Sequence, residues 1–144
     1  MRVTIEADGG SRGNPGPAGY GAVVLDADGE VLIDRQGALG VTTNNVAEYE
    51  GLIAGLLAAA ELGATEVDVR MDSKLVVEQM SGNWRIKHPN LKPLAVRAAE
   101  AAEAFDTVTY AWIPRGENVR ADALANEAMD AARQARAERG SAHR

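Results

Sequence analysis

Four acidic residues, widely separated in the chain, occupy positions where a carboxylate could take part in chemistry: Asp8, Glu48, Asp72 and Asp122. Glu48 recurs at intervals of four with Leu52 and Leu56, and therefore shares a helical face with them. A carboxylate on that apolar face is costly to desolvate unless a positive group pairs with it. The structural alternative is that Glu48 is a half-hydrated residue of the first helical turn, stabilised by the helix dipole.

Asp8 and Asp72 each end a segment in which apolar and polar residues alternate. The segments are RVTIEAD (2–8) and TEVDVRMD (65–72), and each predicts a strand with one apolar side. If these strands are neighbours, the two carboxylates stand side by side at one edge of the sheet. Asp122 is expected in the first turn of the last helix, four residues after the predicted cap Asn118. The structural alternative for Asp8 and Asp122 is that they are only turn or cap residues.

Carboxylates that crowd together repel one another, and each raises its neighbours' pKa unless a cation lies between them. The chain has no cysteine and only two histidines, so any metal would be held by oxygen, which favours magnesium, manganese or calcium. Two divalent ions about 4 Å apart would clamp the attacking water and the leaving oxygen of a phosphodiester. The acids therefore indicate metal-assisted phosphoryl chemistry, as an alternative to four independent structural roles.

The elements that would position these acids follow the order βββαβααβα. Apolar runs on both sides of Asp28-Gly29 predict a hairpin, reached from the first strand through a turn-rich loop at 9–21. Residues 47–63 predict a helix capped from within 42–45, and a parallel crossover leads to the next strand. Two shorter helices, a strand at 106–113 and a last helix at 118–137 complete the pattern. It predicts an α/β domain with one mixed five-stranded sheet flanked by helices.

Length, composition and net charge limit the number of domains, the location and the partners that can be expected. A length of 144 residues suits one domain, and 46% apolar with 25% charged residues is ordinary for a soluble protein. The amino terminus lacks the apolar core of a signal peptide, so we expect a cytoplasmic protein without membrane contact. We place the domain at 1–138, followed by a polar, frayed tail at 139–144 or the start of a linker. We expect a monomer with no obligate protein partner. The net charge of −6 argues against a general nucleic-acid binder.

Four motifs in the same order make the chain resemble type 1 ribonuclease H over essentially its full length. They are DGGSRGNPGPAGYG (8–21), TTNNVAEYEGLIAGL (42–56), MDSKLVV (71–77) and WIPRGENVRADALAN (112–126), and each contains one of the four acids named above. The resemblance implies a ribonuclease H-like fold and an endonuclease that hydrolyses the RNA strand of RNA/DNA hybrids, leaving 3′-hydroxyl and 5′-phosphate ends. It also implies that two Mg²⁺ ions, which Mn²⁺ could replace, are bound by Asp8, Glu48, Asp72 and Asp122.

A hybrid is recognised through its 2′-hydroxyl groups across a wide, shallow minor groove. Backbone groups and amide side chains suited to this task lie before and at the start of the predicted helix: Gly9, Gly10, Ser11, Asn14, Asn44 and Asn45. Glycine leaves room for a sugar, and an amide both donates and accepts hydrogen bonds. The structural alternative for Asn44 and Asn45 is turn and cap duty.

For the DNA strand, the resembled family holds a phosphate with groups that align here with Thr43 and Asn83. Trp84 directly follows Asn83, and we expect it either against a sugar or in the core. Residues 79–97 contain no acid but several basic side chains, so this stretch could contact DNA phosphates despite the negative net charge. The structural alternative is a solvated helix face.

Two features depart from the family pattern. The connection from Trp84 to Pro93 is short, where many relatives carry a longer and strongly basic insertion. Arg115 stands where many relatives place a histidine before the last helix. Arginine stays protonated and cannot act as a general base, so we hypothesise that Arg115 acts electrostatically on the scissile phosphate or on the departing product.

Three functional classes fit these observations. The leading class is a hybrid-specific endonuclease, the second a nuclease of the same fold with broader substrates such as double-stranded RNA, and the third a catalytically silent hybrid-binding module. The complete set of acids argues against the third, because a pure binder gains nothing from clustered negative charge beside phosphates. The Arg- and Ala-rich end of the chain would also fit the first domain of a fusion with a phosphatase.

Overall fold

Strands and helices follow one another in the predicted order βββαβααβα within residues 1–142, which the computed structural model describes. The strands are β1 (Arg2–Ser11), β2 (Gly16–Leu25), β3 (Val31–Thr42), β4 (Glu66–Met71) and β5 (Thr107–Trp112). The helices are α1 (Asn44–Glu61), α2 (Lys74–Met80), α3 (Lys92–Ala102) and α4 (Val119–Ala142), and a 3₁₀ turn at Arg115–Glu117 precedes α4.

The strands form one mixed sheet in the order β3-β2-β1-β4-β5. The pairs β1–β2 and β2–β3 are antiparallel, whereas β1–β4 and β4–β5 are parallel. The β2–β3 hairpin turns after Asp26 as predicted, and Gly29 adopts φ 82°, a left-handed conformation that favours glycine. Helix α1 leads from β3 into β4, which runs parallel to β1. The predicted α/β class, mixed sheet and crossover are confirmed.

The main core lies between the sheet and helix α1. Alternation in β1 directs Val3, Ile5 and Ala7 to this side, where they pack with Leu52 and Leu56 of α1. All five are at most 1% exposed. Burying a large aliphatic side chain contributes about 2 kcal/mol, so this contact fixes α1 on the sheet.

Helix α4 covers the opposite face of β1 and β2 and approaches the sheet unusually closely. A Cβ added at Gly21 would lie 2.6 Å from the carbonyl oxygen of Ala121, and one at Gly19 would lie 2.5 Å from the Cβ of Ala128. Glycine at both positions therefore lets the helix pack directly on the backbone of β2. Because Gly21 pairs with Asp8, this contact places the start of α4 beside the end of β1.

Strand β1 is longer than predicted, and the predicted loop at 9–21 is correspondingly wrong. Residues 9–11 pair with residues 18–20 of β2, which leaves only residues 12–15 as the connecting turn. The glycine-rich sequence was typical of a turn, but a strand ladder is built from backbone groups and needs no side chain. Several of these glycines instead permit close contact between elements.

Helix α4 is also longer than predicted, since it continues through Ala142. The expected frayed tail from residue 139 is thus helical as far as Ala142, and the rest of that tail, 143–144, lies outside the described residues. Alanine, arginine and glutamate are strong helix formers, and the single Gly140 costs only about 1 kcal/mol. None of the helices in residues 1–142 combines the length and the apolar character that crossing a bilayer requires.

Candidate active site

The four predicted acids come from four different segments and line one open cavity of about 380 Å³. Asp8 lies near the end of β1, Glu48 near the start of α1, Asp72 directly after β4, and Asp122 in the first turn of α4. The parallel pairing of β1 with β4 ends one residue before Asp8 and Asp72, so these carboxylates are neighbours. Their expected side-by-side placement is confirmed, while their role as metal ligands stays a prediction.

Close contact between β1 and α1 brings Glu48 into the same cavity. A Cβ added at Gly9 would lie 2.2 Å from the carbonyl carbon of Ala47, and one at Gly51 would lie 2.6 Å from the carbonyl oxygen of Asp8. Glycine at these two positions lets the first turns of α1 rest on the end of β1. The position of Glu48 is therefore a consequence of backbone packing.

Burial and crowding raise the pKa of two of the acids. Burial, together with the charge of Asp72 and a hydrogen bond with Asp122, raises the pKa of Asp8 to about 8. Burial raises the pKa of Glu48 to about 7, although a hydrogen bond with Ser73 opposes the shift. A well-hydrated carboxylate in a first helical turn would show no such rise in pKa. A nearby cation would favour the ionised form of Glu48 again, so its position suits a metal site.

Carboxylate oxygens are the ligands that magnesium and manganese prefer, so all four acids suit such an ion. Within the described residues, no three His, Cys, Asp or Glu side chains already form a group that could hold a metal by themselves. The acids border an open cleft instead. Such a cleft suits a hard cation that keeps several waters and takes further ligands from a substrate phosphate.

Asn118 orients one of these acids, a role that sequence reasoning missed. Its side chain is completely buried, and its Nδ2 donates to the carbonyl oxygen of Ala7 at 2.8 Å and to Oδ1 of Asp72 at 2.9 Å. Asn118 directly precedes α4, and its backbone carbonyl accepts from the Asp122 N–H at 3.0 Å, so it lies at the predicted cap position although its side-chain oxygen makes no capping bond. The Oδ1 atom of Asn118 is buried without a partner among the described residues, which indicates that the Nδ2 contacts determine its orientation.

Two further side chains hold acids of this cavity and were also missed. Asn126 donates from Nδ2 to the carbonyl oxygen of Asp122 at 2.9 Å and to its Oδ2 at 3.2 Å. Ser73 caps α2 and lies close enough to Glu48 to oppose the rise in its pKa. The available signals were the spacing of four between Asp122 and Asn126, and the serine directly after Asp72.

Arg115 lies at the mouth of the cavity, as its place in the sequence predicted. It belongs to the 3₁₀ turn before α4, and its Nη2 lies 3.5 Å from Oδ1 of Asp122. The Arg115 side chain is 78% exposed, so this ion pair is screened by water and leaves the guanidinium free to contact a substrate.

Most of the residues predicted to bind the RNA strand border the same cavity, namely Gly9, Gly10, Ser11 and Asn44. The backbone N–H and the hydroxyl of Ser11 donate to Oδ1 of Asn44 at 2.8 and 3.1 Å. Asn14 accepts from the backbone N–H of Asn44 through Oδ1 at 3.0 Å, which leaves its Nδ2 directed away from this bond. The cavity therefore carries amide and backbone groups where the end of β1 meets the start of α1, and Gly10 also lies beside Met129 of α4.

A second cavity of about 110 Å³ lies beside the start of α1. It is lined by the predicted residues Asn14, Thr43 and Asn45, and also by His88 and Asn90, which were not predicted. Nδ1 of His88 accepts from the backbone N–H of Asn90 at 3.1 Å, so a neutral ring carries its proton on Nε2. This cavity thus gathers polar groups from three segments that are distant in the sequence. Thr43 is also the predicted cap of α1.

Asn83 and Trp84 lie just after α2 and line neither of these two cavities. Nδ2 of Asn83 donates to Oε2 of Glu78 at 3.1 Å. Trp84 is 44% exposed, so the core position considered for it is wrong. Contacts of both residues with DNA stay predictions.

Comparisons with known proteins agree on one family. A family model described as reverse transcriptase-like matches residues 6–128. The chain is 63% identical over 138 residues to the bifunctional protein Rv2228c of Mycobacterium tuberculosis, covering 95% of this chain and 38% of that protein. The solved N-terminal RNase H domain of Rv2228c has a TM-score of 0.92 at 62% identity, with 94% and 98% of the two chains covered. LC11-RNase H1, solved in complex with RNA/DNA hybrid, has a TM-score of 0.85 at 44% identity, with 90% and 98% covered.

The mixed sheet and the acid-lined cavity at its edge define an α/β domain of the ribonuclease H-like class. The chain belongs to the ribonuclease H family. It spans 38% of the length of the mycobacterial relatives that it matches.

In the metal-free protein, the free energy of unfolding should fall as the pH rises from about 4 to about 8. The ordinary pKa values of Asp8 and Glu48 are 3.8 and 4.5, and folding raises them to about 8 and about 7. Over this window the folded chain keeps protons that the unfolded chain has lost, so each pH unit adds a penalty to folding. Thermal denaturation in chelator should show a lower melting temperature at about pH 8 than at about pH 5.

The control for this measurement is Asp8→Asn, which removes the acid with the largest shift and should flatten the pH dependence. Magnesium should raise the melting temperature of the original protein more at the higher pH. If the melting temperature depended on pH in the same way in Asp8→Asn, Asp8 would not be the source of that dependence.

Replacing Asn118 by alanine should weaken metal binding, because the Asp72 carboxylate loses the donor that orients it. Loss of such an outer partner costs about 10- to 100-fold in metal affinity or activity. Calorimetric titration with Mn²⁺, well below the melting temperature, measures the change. Gln36→Ala is the matched control, because the Gln36 amide also donates to a carboxylate, that of Glu127, but at an exposed position. Equal affinities in both variants would contradict a positioning role for Asn118.

Proposed function

We propose that this domain is an endonuclease that hydrolyses the RNA strand of RNA/DNA hybrids. The observation that carries the proposal is the cavity in which four carboxylates face the backbone of residues 9–11. Membership of the ribonuclease H family supports the activity. The similarity to LC11-RNase H1, solved with an RNA/DNA hybrid, supports the substrate. A water molecule adds to the phosphorus, the bond to the 3′ oxygen breaks, and the products carry a 3′-hydroxyl and a 5′-phosphate.

The proposed cofactor is a pair of Mg²⁺ ions, which Mn²⁺ could replace, held by Asp8, Glu48, Asp72 and Asp122. Such ions supply an activated water and stabilise the leaving oxygen. The raised pKa values of Asp8 and Glu48 support the assignment, because a nearby cation would restore the ionised forms. Asn118 and Asn126 then keep two of the carboxylates oriented.

Substrate selection is assigned to the part of the cavity formed by residues 9–11 and the start of α1. Residues 9–11 leave room for a ribose, and Asn44 and Asn14 offer amides for 2′-hydroxyl groups and base edges. The second cavity, with Thr43 and Asn45, is proposed to face the DNA strand. Asn83 and Trp84 are proposed to contact that strand further along.

The proposal includes several expectations about the whole protein. They are a catalytic domain at 1–138 that leads into a linker, a second catalytic domain such as a phosphatase, a monomeric state and a cytoplasmic location. The match of this chain to only 38% of the length of Rv2228c supports a longer protein.

The test is cleavage of one labelled sequence as RNA/DNA hybrid, double-stranded RNA and single-stranded RNA, with Mg²⁺, Mn²⁺ or chelator. We expect metal-dependent cutting of the hybrid alone. Asp72→Asn should abolish this cutting, because it removes the charge of a proposed metal ligand. The Asp72 carboxylate lies beside Asp8 and accepts a hydrogen bond from the Asn118 amide. Mapping the product ends checks the position of the broken bond.

Other results would redirect the proposal. Equal cutting of double-stranded RNA would indicate the broader nuclease. Hybrid binding without cutting under any metal would indicate the silent binding module, and would contradict catalysis by the four acids.

Arg115→Ala should lower kcat for the hybrid by about tenfold or more, with little change in KM. The exposed guanidinium lies at the mouth of the cavity, where it can stabilise charge on the phosphate or the departing product. Arg115→Lys keeps the positive charge and should retain part of the activity. Single-turnover and steady-state rates together separate the chemical step from product release. Unchanged turnover in Arg115→Ala would remove this role.

A further inference from the structure

One stripe of helix α4 lines the active-site cavity and continues beyond it. Asp122, Asn126 and Met129 border the cavity, and their spacings of four and three place them on one helical face. The same spacings lead next to Arg133 and Arg136. These two arginines therefore extend the stripe whose first members touch the cavity.

Helix α4 advances toward the β1–β2 turn, so the extended stripe stays on the cavity side of the domain. Its first turn packs on Gly21 and its third turn on Gly19, which is nearer to that turn. Arg12, which lies in the turn and lines the cavity, pairs with Asp130 of α4 with 3.0 Å between Nη2 and Oδ1. The part of α4 after Asp130 thus begins at the wall of the cavity.

Beyond the buried Ala132, the side chains of Arg133 and Arg136 are exposed. Among the ion pairs formed within residues 1–142, none involves either arginine. The acids nearest to them in sequence have other partners, since Asp130 pairs with Arg12 at 3.0 Å and Glu138 accepts from Gln134 at 3.1 Å. After Asp122 the stripe therefore carries only positive charge.

We propose that Arg133 and Arg136 bind the phosphate backbone of the hybrid duplex held in the cavity, which rests on the proposed function. A guanidinium matches phosphate oxygens in a bidentate geometry, and both groups are free to rotate toward a strand. At 1.5 Å per residue, the two arginines lie about 16 and 21 Å along α4 from Asp122. For a duplex that runs along α4 with about 3.4 Å per base pair, these contacts fall roughly five or six base pairs from the cleavage site.

Arg133 and Arg136 supply local positive charge in a chain whose net charge is negative. The net charge is −6, and the connection that carries a basic insertion in many relatives is short here. Phosphate contacts supply most of the affinity of a nucleic-acid binder, and they depend on local positive charge. Arg133 and Arg136 place such charge in line with the cavity.

The test compares binding of Asp72→Asn protein with and without the added double substitution Arg133→Gln/Arg136→Gln. Fluorescence anisotropy with Mg²⁺ measures the dissociation constant for a hybrid of about 24 base pairs whose only ribonucleotides lie centrally. Removing two phosphate contacts should weaken binding about tenfold at low salt, and reduce the slope of log K against log salt by about two. Shortening the duplex to about three base pairs on one side of the ribonucleotides removes the phosphates that the two arginines would contact. The two proteins should then bind the duplex equally well.

The matched control is Arg2→Gln/Arg35→Gln, which removes two arginines that pair with Asp68 and Glu61 and do not line the cavity. This control should bind every duplex within about twofold of the parent, since its net charge changes equally but not near the substrate. An equal dissociation constant for the long hybrid, or an equal loss on every duplex, would overturn the proposal. Because binding needs no cleavage, this result is separate from failure of the nuclease assay.

Discussion

Repulsion among four carboxylates, gathered at one edge of the sheet, is the constraint on which the arrangement of this domain depends. Two close backbone contacts impose it. Gly9 allows α1 to rest on the end of β1, and Gly21 allows α4 to rest on β2 opposite Asp8. The apolar core opposes the repulsion, because burial of β1 against α1 holds both elements in place. Burial, with a smaller contribution from the charge of Asp72, raises the pKa values of Asp8 and Glu48.

Neutral amides orient the acids, which suits the proposed metal site. An amide donates a hydrogen bond without cancelling the negative charge that would attract a cation. Asn118 and Asn126 each donate to a carboxylate without cancelling its charge. Leaving the Asn118 Oδ1 without a partner costs about 1–3 kcal/mol. That cost is tolerated because the same side chain joins the backbone of β1 to Asp72. The cationic Arg115 pairs with Asp122 only loosely, at 3.5 Å and largely in water.

The negative net charge and a polyanionic substrate are compatible because charge is distributed unevenly. The acids of the cavity account for part of the −6, and bound cations would offset them. Positive side chains lie around the cavity, at Arg12 and Arg115, and continue along α4. In the basic stretch at 79–97, by contrast, Arg97 is paired with Glu50 at 2.8 Å. Local potential at the binding face, and not the total charge, decides whether phosphates are attracted.

The sequence by itself determined the elements, their order and the acids, because these depend on local patterns. Alternation of two along β1 and β4 and spacing of four along α1 fix which side chains share a face, and so where Asp8, Asp72 and Glu48 point. Where local patterns were ambiguous, the prediction was wrong. Residues 9–11 have the composition of a turn, yet they pair with β2.

Only the tertiary structure decided which distant groups meet. Asn118 lies at the expected cap position of α4, but its side-chain amide donates to the Ala7 carbonyl and the Asp72 carboxylate, which lie far away in the sequence. Likewise, His88 joins Thr43 in one cavity because the segment after α2 returns to the start of α1. A side chain's periodicity is set by its own segment, whereas its hydrogen-bond partner is set by how separate segments pack. The carboxylates could therefore be found from the sequence, but the contact of Asn118 with Asp72 could not.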